Sequence, residues 1–225
     1  MSEHLTEEEQ IEALKRWWNK HGKNIVTTVV IVAIAYFGWQ GWQANQKAQR
    51  EGASALFNDM SESALVEPGQ SLSEQQHIQV VTLGEQIKDQ YPKSFYAVSA
   101  AMLMAKHAVE QDNLNEAKKQ LLWAQDHNSD DTLAPVIDLR LARVLLALDE
   151  TDAALDLVKD APYEQSTSLF AEVRGDVLTE KGDSAGAREA YQMALDTLPQ
   201  EQNNRRRFLE MKRDLHAPAE LSEAN

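Results

Sequence analysis

The chain has 225 residues, 43% of them hydrophobic and 26% charged, a length that suits one or two ordinary globular domains. Its 22 Lys and Arg against 36 Asp and Glu give a formal net charge of −14, which argues against nucleic acid as a partner because phosphate binding needs a basic face. The absence of cysteine excludes disulfides, zinc–thiolate sites, cysteine nucleophiles and lipid attachment to a cysteine, and it leaves both oxidising and reducing compartments open.

The first strong pattern is an uncharged window between Lys23 and Lys47, whose centre, residues 25–42, is almost wholly apolar. At 1.5 Å per residue, about 18 helical residues cover roughly 27 Å, close to the thickness of the hydrocarbon core of a bilayer. We therefore predict a transmembrane helix over residues 24–42. Aromatic residues, which favour the two membrane interfaces, stand on both sides of it: Trp17, Trp18, Tyr36, Phe37, Trp39 and Trp42.

The charges that flank this segment predict its orientation. Four basic residues precede it and only two follow closely: Lys15, Arg16, Lys20 and Lys23, then Lys47 and Arg50. The positive-inside rule places residues 1–23 in the cytoplasm and the rest of the chain outside. A cleaved signal peptide, with residues 33–35 as the cleavage site, remains the alternative, although the run stays apolar and bulky beyond Ala35.

The cytoplasmic segment has a helix-start signal of its own. Thr6 and Glu9 have the spacing of a capping box, ahead of apolar residues at helical intervals. The helix that starts here either merely extends the transmembrane helix or serves as a docking segment for a cytoplasmic partner.

Residues 43–93 read as connecting helices. Ser71 and Glu74 have capping-box spacing and predict the start of one helix, and Ser94 is placed to cap the next.

From residue 94 the sequence repeats itself, first at an interval of 37 residues and then at 33. Small residues recur at equivalent places on both helices of each pair. On the second helix a larger apolar residue follows the small one four positions later, a pattern that lets two antiparallel helices approach closely. The first helices carry Ala105, Ala142 and Gly175; the second carry Ala117, Ala154 and Ala187, then Leu121, Val158 and Tyr191, then Ala124, Ala161 and Ala194.

A period near 34 resembles the tetratricopeptide repeat. No segment alternates with period two for long enough to be a convincing strand. We predict an all-α protein, in which the transmembrane helix precedes a tetratricopeptide-like α-solenoid over residues 94–200, closed by a cap helix and tail at residues 201–225.

Motifs for catalysis and for cofactor or metal binding are missing. The six histidines are scattered, and there is no glycine-rich phosphate loop or nucleophile elbow. Asp126 begins a calcium-like loop, but Asp131 stands where that loop requires Gly and Ile137 where it requires Glu. We expect no enzymatic activity, no cofactor and no metal.

Protein binding is the remaining function class. In a tetratricopeptide solenoid the first helix of each pair lines the concave face, so its inner stripe selects the ligand. The predicted stripe is Met102, Lys106, Leu139, Arg143, Glu172, Asp176 and Thr179. Met102 and Leu139 either accept apolar client side chains loosely or simply pack the core. The acidic body predicts a salt-dependent preference for basic or neutral clients.

Several stretches together resemble one family, the YfgM family of single-span tetratricopeptide proteins of the Gram-negative inner membrane. They are residues 10–19 before the span, residues 136–144, residues 173–176 and residues 181–188. The resemblance covers roughly residues 8–200.

The resemblance implies a periplasmic solenoid beside the SecYEG translocon. It also implies a membrane-anchored, peptidyl-prolyl-isomerase-like chaperone as partner, and exported unfolded chains that are passed on to periplasmic chaperones. The family is further associated with a cytoplasmic stress-response regulator, which would involve the N-terminal segment. A regulator acting through that segment and a structural scaffold of an envelope complex are the alternative functions.

Overall fold

The computed structural model describes residues 7–67, 69–160 and 166–216, and within these ranges the chain is all-α. The predicted fold class is confirmed. The helices in chain order are α1 (Glu7–Ser63), α2 (Glu74–Gln90), α3 (Phe95–Glu110), α4 (Leu114–His127), α5 (Ala134–Ala147), α6 (Thr151–Val158), α7 (Thr167–Glu180), α8 (Ser184–Asp196) and α9 (Asn203–Asp214).

The chain divides into two units, Met1–Gly52 and Ala53–Asn225. In the first unit, α1 is the one helix of the described ranges that is long and apolar enough to cross a membrane. Its apolar side chains are exposed on every side, as in Val30, Ile34 and Phe37. Exposure of this kind is unfavourable in water and favourable in lipid, so α1 is a candidate transmembrane span.

Two threonines at the start of the apolar segment satisfy their hydroxyl groups within the helix. Thr27 Oγ1 donates to the carbonyl oxygen of Lys23, and Thr28 Oγ1 donates to that of Asn24, both at 2.8 Å. An unpaired hydroxyl in hydrocarbon is costly, and these bonds remove that cost.

The second unit begins where the end of α1 packs on α2 and α3. A buried apolar cluster joins the three helices: Met60, Val80, Ile87, Ala97, Ala100 and Met104. Ser94 caps α3 as predicted, because its hydroxyl accepts a hydrogen bond from the backbone N–H of Ala97 at 3.1 Å.

The predicted capping box of Ser71 and Glu74 is wrong. The N-cap of α2 is Ser73, whose backbone N–H donates to the side-chain oxygen of Gln76 at 3.0 Å while its hydroxyl accepts from the Gln76 N–H at 3.3 Å. Glu74 is the first helical residue, so it cannot reach back to cap its own helix.

Six of the described helices form three successive pairs, α3/α4, α5/α6 and α7/α8, and each pair packs on the next. The small residues of the repeat pattern are buried at the helix contacts, including Ala117, Ala154 and Ala187. At Gly175 an added Cβ would lie 2.5 Å from the ring of Tyr191, so only glycine lets α7 and α8 approach this closely. Thr6, Ala161 and residues 217–225 lie outside the described residues.

Each pair turns at a residue with left-handed backbone conformation. The three φ angles are 57° at Asp112, 61° at Asp149 and 75° at Gly182. Asp tolerates this conformation better than most residues and glycine adopts it freely, which explains why turn acids and a glycine recur at the repeat interval.

A buried charge network fastens α2 to α4. Lys88, almost fully buried, donates from Nζ to Glu85 Oε1 at 2.9 Å and to Gln120 Oε1 at 2.8 Å. Burial alone would raise the pKa of Glu85, but the hydrogen bonds from Lys88 and Gln120 outweigh it and hold that pKa below its usual value. Lys88 also lies over the ring of Trp123, with Nζ 5.0 Å from the centroid.

Candidate protein-binding surface

The structure distributes the seven predicted stripe residues over three different environments. Met102 and Leu139 are buried, with 8% and 5% of their surface exposed, and they belong to apolar core clusters. This burial favours the packing interpretation for both residues, and their contact with a client stays a prediction.

Lys106 and Arg143 lie in an open groove between α3 and α5. The groove has a volume of about 490 Å³ and is lined among others by Lys106, Val109, Leu114, Arg140, Arg143 and Val144. We call it the basic groove. Its lining is mostly apolar, and the cationic side chains of Lys106, Arg140 and Arg143 are exposed beside it.

The cations of the basic groove are largely available. Lys106 is exposed and forms one ion pair, to Glu110 at 3.4 Å within its own helix. No described residue forms an ion pair or a hydrogen bond with the guanidinium group of Arg140 or of Arg143. Three cations and one carboxylate therefore give this groove a net positive charge in a chain of net charge −14.

A second depression continues the basic groove toward the end of α1. It has a volume of about 410 Å³ and shares Lys106 and Arg140 with the first. Its other lining residues include Phe57, Leu65, Met102 and Leu133. The two depressions together form a path with an apolar lining and cations at the middle.

Glu172, Asp176 and Thr179, which we call the acidic stripe, lie on α7 and are covered by α9. Glu172 forms ion pairs with Arg205 and with Lys212, the latter at 3.2 Å. Lys212 Nζ also donates to Asp176 Oδ1 at 2.7 Å. The chain's own C-terminal helix thus neutralises the acidic stripe.

The remaining contacts of the acidic stripe are hydrogen bonds around Tyr191. The phenol donates to Asp176 Oδ1 at 2.8 Å, and Thr179 Oγ1 lies 3.2 Å from the phenol oxygen and 3.0 Å from Nε2 of His216. Burial, followed by the hydrogen bond to Asp176, raises the pKa of Tyr191 above its ordinary value. The phenol therefore stays neutral and acts as a donor.

An apolar contact fixes α9 in this position. Leu209 is fully buried in a cluster with Ala171, Ala187, Tyr191, Ala194, Leu195 and Leu198. A basic helix on an acidic stripe, with one leucine beneath it, closes the end of the solenoid.

Two functional features escaped the sequence reasoning. Arg140 was missed because the predicted stripe on α5 ran through Leu139, which the structure places in the core one residue away from the exposed face. The Arg140 and Arg143 pair, three residues apart on one helix face, was the available signal. The covering of the acidic stripe by α9 had no local signal, because it joins residues 33 to 40 positions apart.

Within the described ranges, no group of three or more His, Asp or Glu side chains is placed to hold a metal ion.

Comparison with known proteins identifies the fold family and relatives of the whole chain. A family model described as a tetratricopeptide repeat-like domain matches residues 15–217. A relative from Aggregatibacter actinomycetemcomitans is 33% identical over 195 residues, which cover 84% of this chain and 89% of the relative. It is named an ancillary SecYEG translocon subunit.

Two further relatives carry the same name. The one from Escherichia coli K12 is 29% identical over 195 residues, covering 83% of this chain and 85% of the relative. The one from Haemophilus influenzae is 28% identical over 195 residues, covering 86% and 91%. Since the matches extend over most of each chain, the protein described here belongs to the ancillary SecYEG translocon subunit family, the YfgM family, and is built on its tetratricopeptide repeat-like domain.

Proposed function

We propose that this chain is a membrane-anchored, protein-binding adaptor that associates with the SecYEG translocon and helps pass exported chains to periplasmic chaperones. The observation that carries the proposal is the near full-length match to relatives named as translocon subunits. The match is supported by an apolar helix with no buried side chains in its most apolar part, which suits a single span of the bacterial inner membrane.

The proposed orientation places the N-terminus in the cytoplasm and the solenoid in the periplasm. Lys15, Arg16, Lys20 and Lys23 before the apolar segment support it. A protease added to spheroplasts should then degrade the solenoid and leave the N-terminal segment protected. Resistance of the solenoid, with the outer membrane removed, would contradict the proposed orientation.

The proposed mechanism depends on effective concentration. A span that holds the solenoid beside a channel raises the concentration of the binding surface for every chain that leaves the channel. Weak and broad contacts are then sufficient, and fast release favours transfer to a chaperone. A membrane-anchored, peptidyl-prolyl-isomerase-like chaperone is the proposed receiving partner.

The basic groove supports the adaptor role because it offers an open apolar lining in the body of the solenoid. Site-specific photocrosslinking in intact cells tests it. A photoreactive residue at Arg143, in the groove, should capture exported chains, whereas one at Glu189, exposed on α8, serves as the matched control. Partners are identified by mass spectrometry.

Translocon association is measured separately, by affinity purification of the full chain from membranes in mild detergent. We expect the channel subunits to copurify. Recovery of cytosolic partners alone, from both crosslinking positions and from the purification, would contradict the proposed function.

A further inference from the structure

We infer that the basic groove recognises extended chain segments in which carboxylate side chains flank large aliphatic ones. This inference rests on the proposed function, because it names the class of segment that the adaptor binds. It reverses the preference that the net charge of the chain suggests, so it makes a different prediction for the same clients.

The lining of the groove accounts for the aliphatic part of the segment. Val109, Leu114 and Val144 line the depression between α3 and α5, and Val109 is 45% exposed. The adjoining depression adds Phe57, Leu65 and Leu133 and continues the apolar path. Removing such surface from water is the general driving force for association, and two linked depressions suit successive side chains of an extended segment.

The cations account for the carboxylates. Arg140 and Lys106 lie where the two depressions join, and Arg143 lies farther along the first. A guanidinium group binds a carboxylate through two parallel hydrogen bonds, and neither guanidinium here is paired with a described residue. Their charge is not required for the internal packing of the solenoid and remains available for a ligand.

The acidic stripe explains why a basic segment is the poorer ligand. A basic client would need carboxylates in the groove, where Glu110 alone faces three cations, and those of Glu172 and Asp176 on α7 are already bound to α9. The other acidic residues of the chain act over longer distances, and salt screens such interactions beyond about 10 Å at 0.1 M ionic strength. Local charge therefore outweighs net charge at this surface.

The test measures the affinity of the full chain, purified in detergent micelles, for three fluorescent peptides. All three carry the same aliphatic core and have blocked termini, and the two flanking residues are Glu, Gln or Lys. We expect the Glu peptide to bind roughly three- to tenfold more tightly than the Gln peptide at low salt, and the Lys peptide to bind weakest. The difference should shrink as salt is added.

Charge-removing substitutions locate the effect. The double variant Arg140→Gln/Arg143→Gln should abolish the preference for the Glu peptide and keep a weakened affinity for all three. Arg188→Gln on α8 makes the same chemical change to an arginine outside the groove, and it should leave the preference unchanged. Circular dichroism and the thermal transition verify that each variant is folded.

Two results would overturn the inference: equal affinity of the unchanged chain for the three peptides, or the same loss of preference in Arg188→Gln as in the double variant. The peptide comparison on the unchanged chain needs no variant, so a misfolded variant does not remove the test. It also needs no translocon. A failed peptide test beside intact copurification with the channel refutes only the inference, and the opposite combination refutes only the proposed translocon association.

Discussion

The basic groove and the acidic stripe involve first helices of the same solenoid, but the first is open to solvent and the second is covered. The groove between α3 and α5 is open, with two guanidinium groups that no described residue binds. The stripe on α7 is covered by α9, and its carboxylates are bound to Arg205 and Lys212. Charged residues on the first helices are thus paired within the molecule at one end of the solenoid and exposed to solvent at the other.

The comparison also shows that the net charge of a chain does not describe the local charge of one of its surfaces. The chain has a formal net charge of −14, yet the basic groove carries three cations and one carboxylate. The acids of the stripe, Glu172 and Asp176, form ion pairs within the molecule. The variants below separate residues that hold the fold from residues that stay free to bind.

The largest effect is expected from the apolar anchor of α9. Leu209→Ala removes a fully buried side chain, and we expect the free energy of unfolding to fall by about 3 kcal/mol. Denaturant unfolding followed by circular dichroism measures it. Leu215→Ala is the control, because Leu215 is 75% exposed and the loss there should stay within about 0.5 kcal/mol. Equal losses in the two variants would show that α9 is not anchored by Leu209.

The next largest loss of stability is expected when the ion pairs of the acidic stripe are removed. Glu172→Gln removes the carboxylate that binds Arg205 and Lys212, and we expect a loss of about 1 to 2 kcal/mol because Arg205 loses its ion-pair partner while Lys212 keeps only Asp176. Glu180→Gln, on the exposed side of the same helix, should change stability by less than about 0.5 kcal/mol. No difference between the two variants in thermal unfolding would contradict the role of the stripe in docking α9.

A smaller, pH-dependent effect is expected at the other end of the solenoid, where Glu85 binds buried Lys88. The pKa of Glu85 is lower in the folded state than in the unfolded state, so its contribution is present above the ordinary pKa and is lost as the pH falls through the lowered value. The contribution is about 1 kcal/mol, since the carboxylate is partly exposed.

Glu85→Gln should therefore reduce stability near neutral pH and leave less of a difference from the unchanged chain under acidic conditions. Urea unfolding at a series of pH values measures both. A difference that grows as the pH falls would have the wrong sign for this network.

The smallest effect on stability is expected in the basic groove. Arg140→Gln and Arg143→Gln remove exposed charges that no described residue binds, so each should change the free energy of unfolding by less than about 0.5 kcal/mol. Chemical denaturation measures it. A loss comparable with that of Glu172→Gln would mean that the groove arginines hold the fold, and the contrast between the two surfaces would disappear.

The sequence predicts the helical repeat well, because small residues at helix contacts leave a pattern that recurs along the chain. Ala117, Ala154 and Ala187 are fully buried, and Gly175 touches Tyr191 as a close helix approach requires. The apolar span is equally visible, since a long uncharged and apolar run is typical of a helix that crosses a membrane. The apolar run is a property of consecutive residues, and the repeat of small residues recurs at a nearly fixed interval, so both can be seen in the sequence.

The candidate site is less predictable, because helix rotation and distant pairing decide it. The exposed face of α5 is shifted by one residue from the predicted one, so Arg140 and not Leu139 lies at the open surface. Likewise, Ser71 and Ser73 both have capping-box spacing, to Glu74 and to Gln76, and the helix begins after Ser73. The ion pairs of Glu172 with α9, and the hydrogen bond that Lys88 donates to Gln120 on another helix, arise from docking, which leaves no mark at a fixed spacing.

The connector between α8 and α9 has a consequence for assembly. This short connector, residues 197–202, joins α9 to α8, which forms part of the surface on which α9 docks. The same surface of a second molecule offers identical contacts, so a connector too short to fold back would favour exchange of α9 between two molecules. Residues 197–202 are long enough for α9 to dock on its own molecule, which keeps this face of each molecule from pairing with another copy.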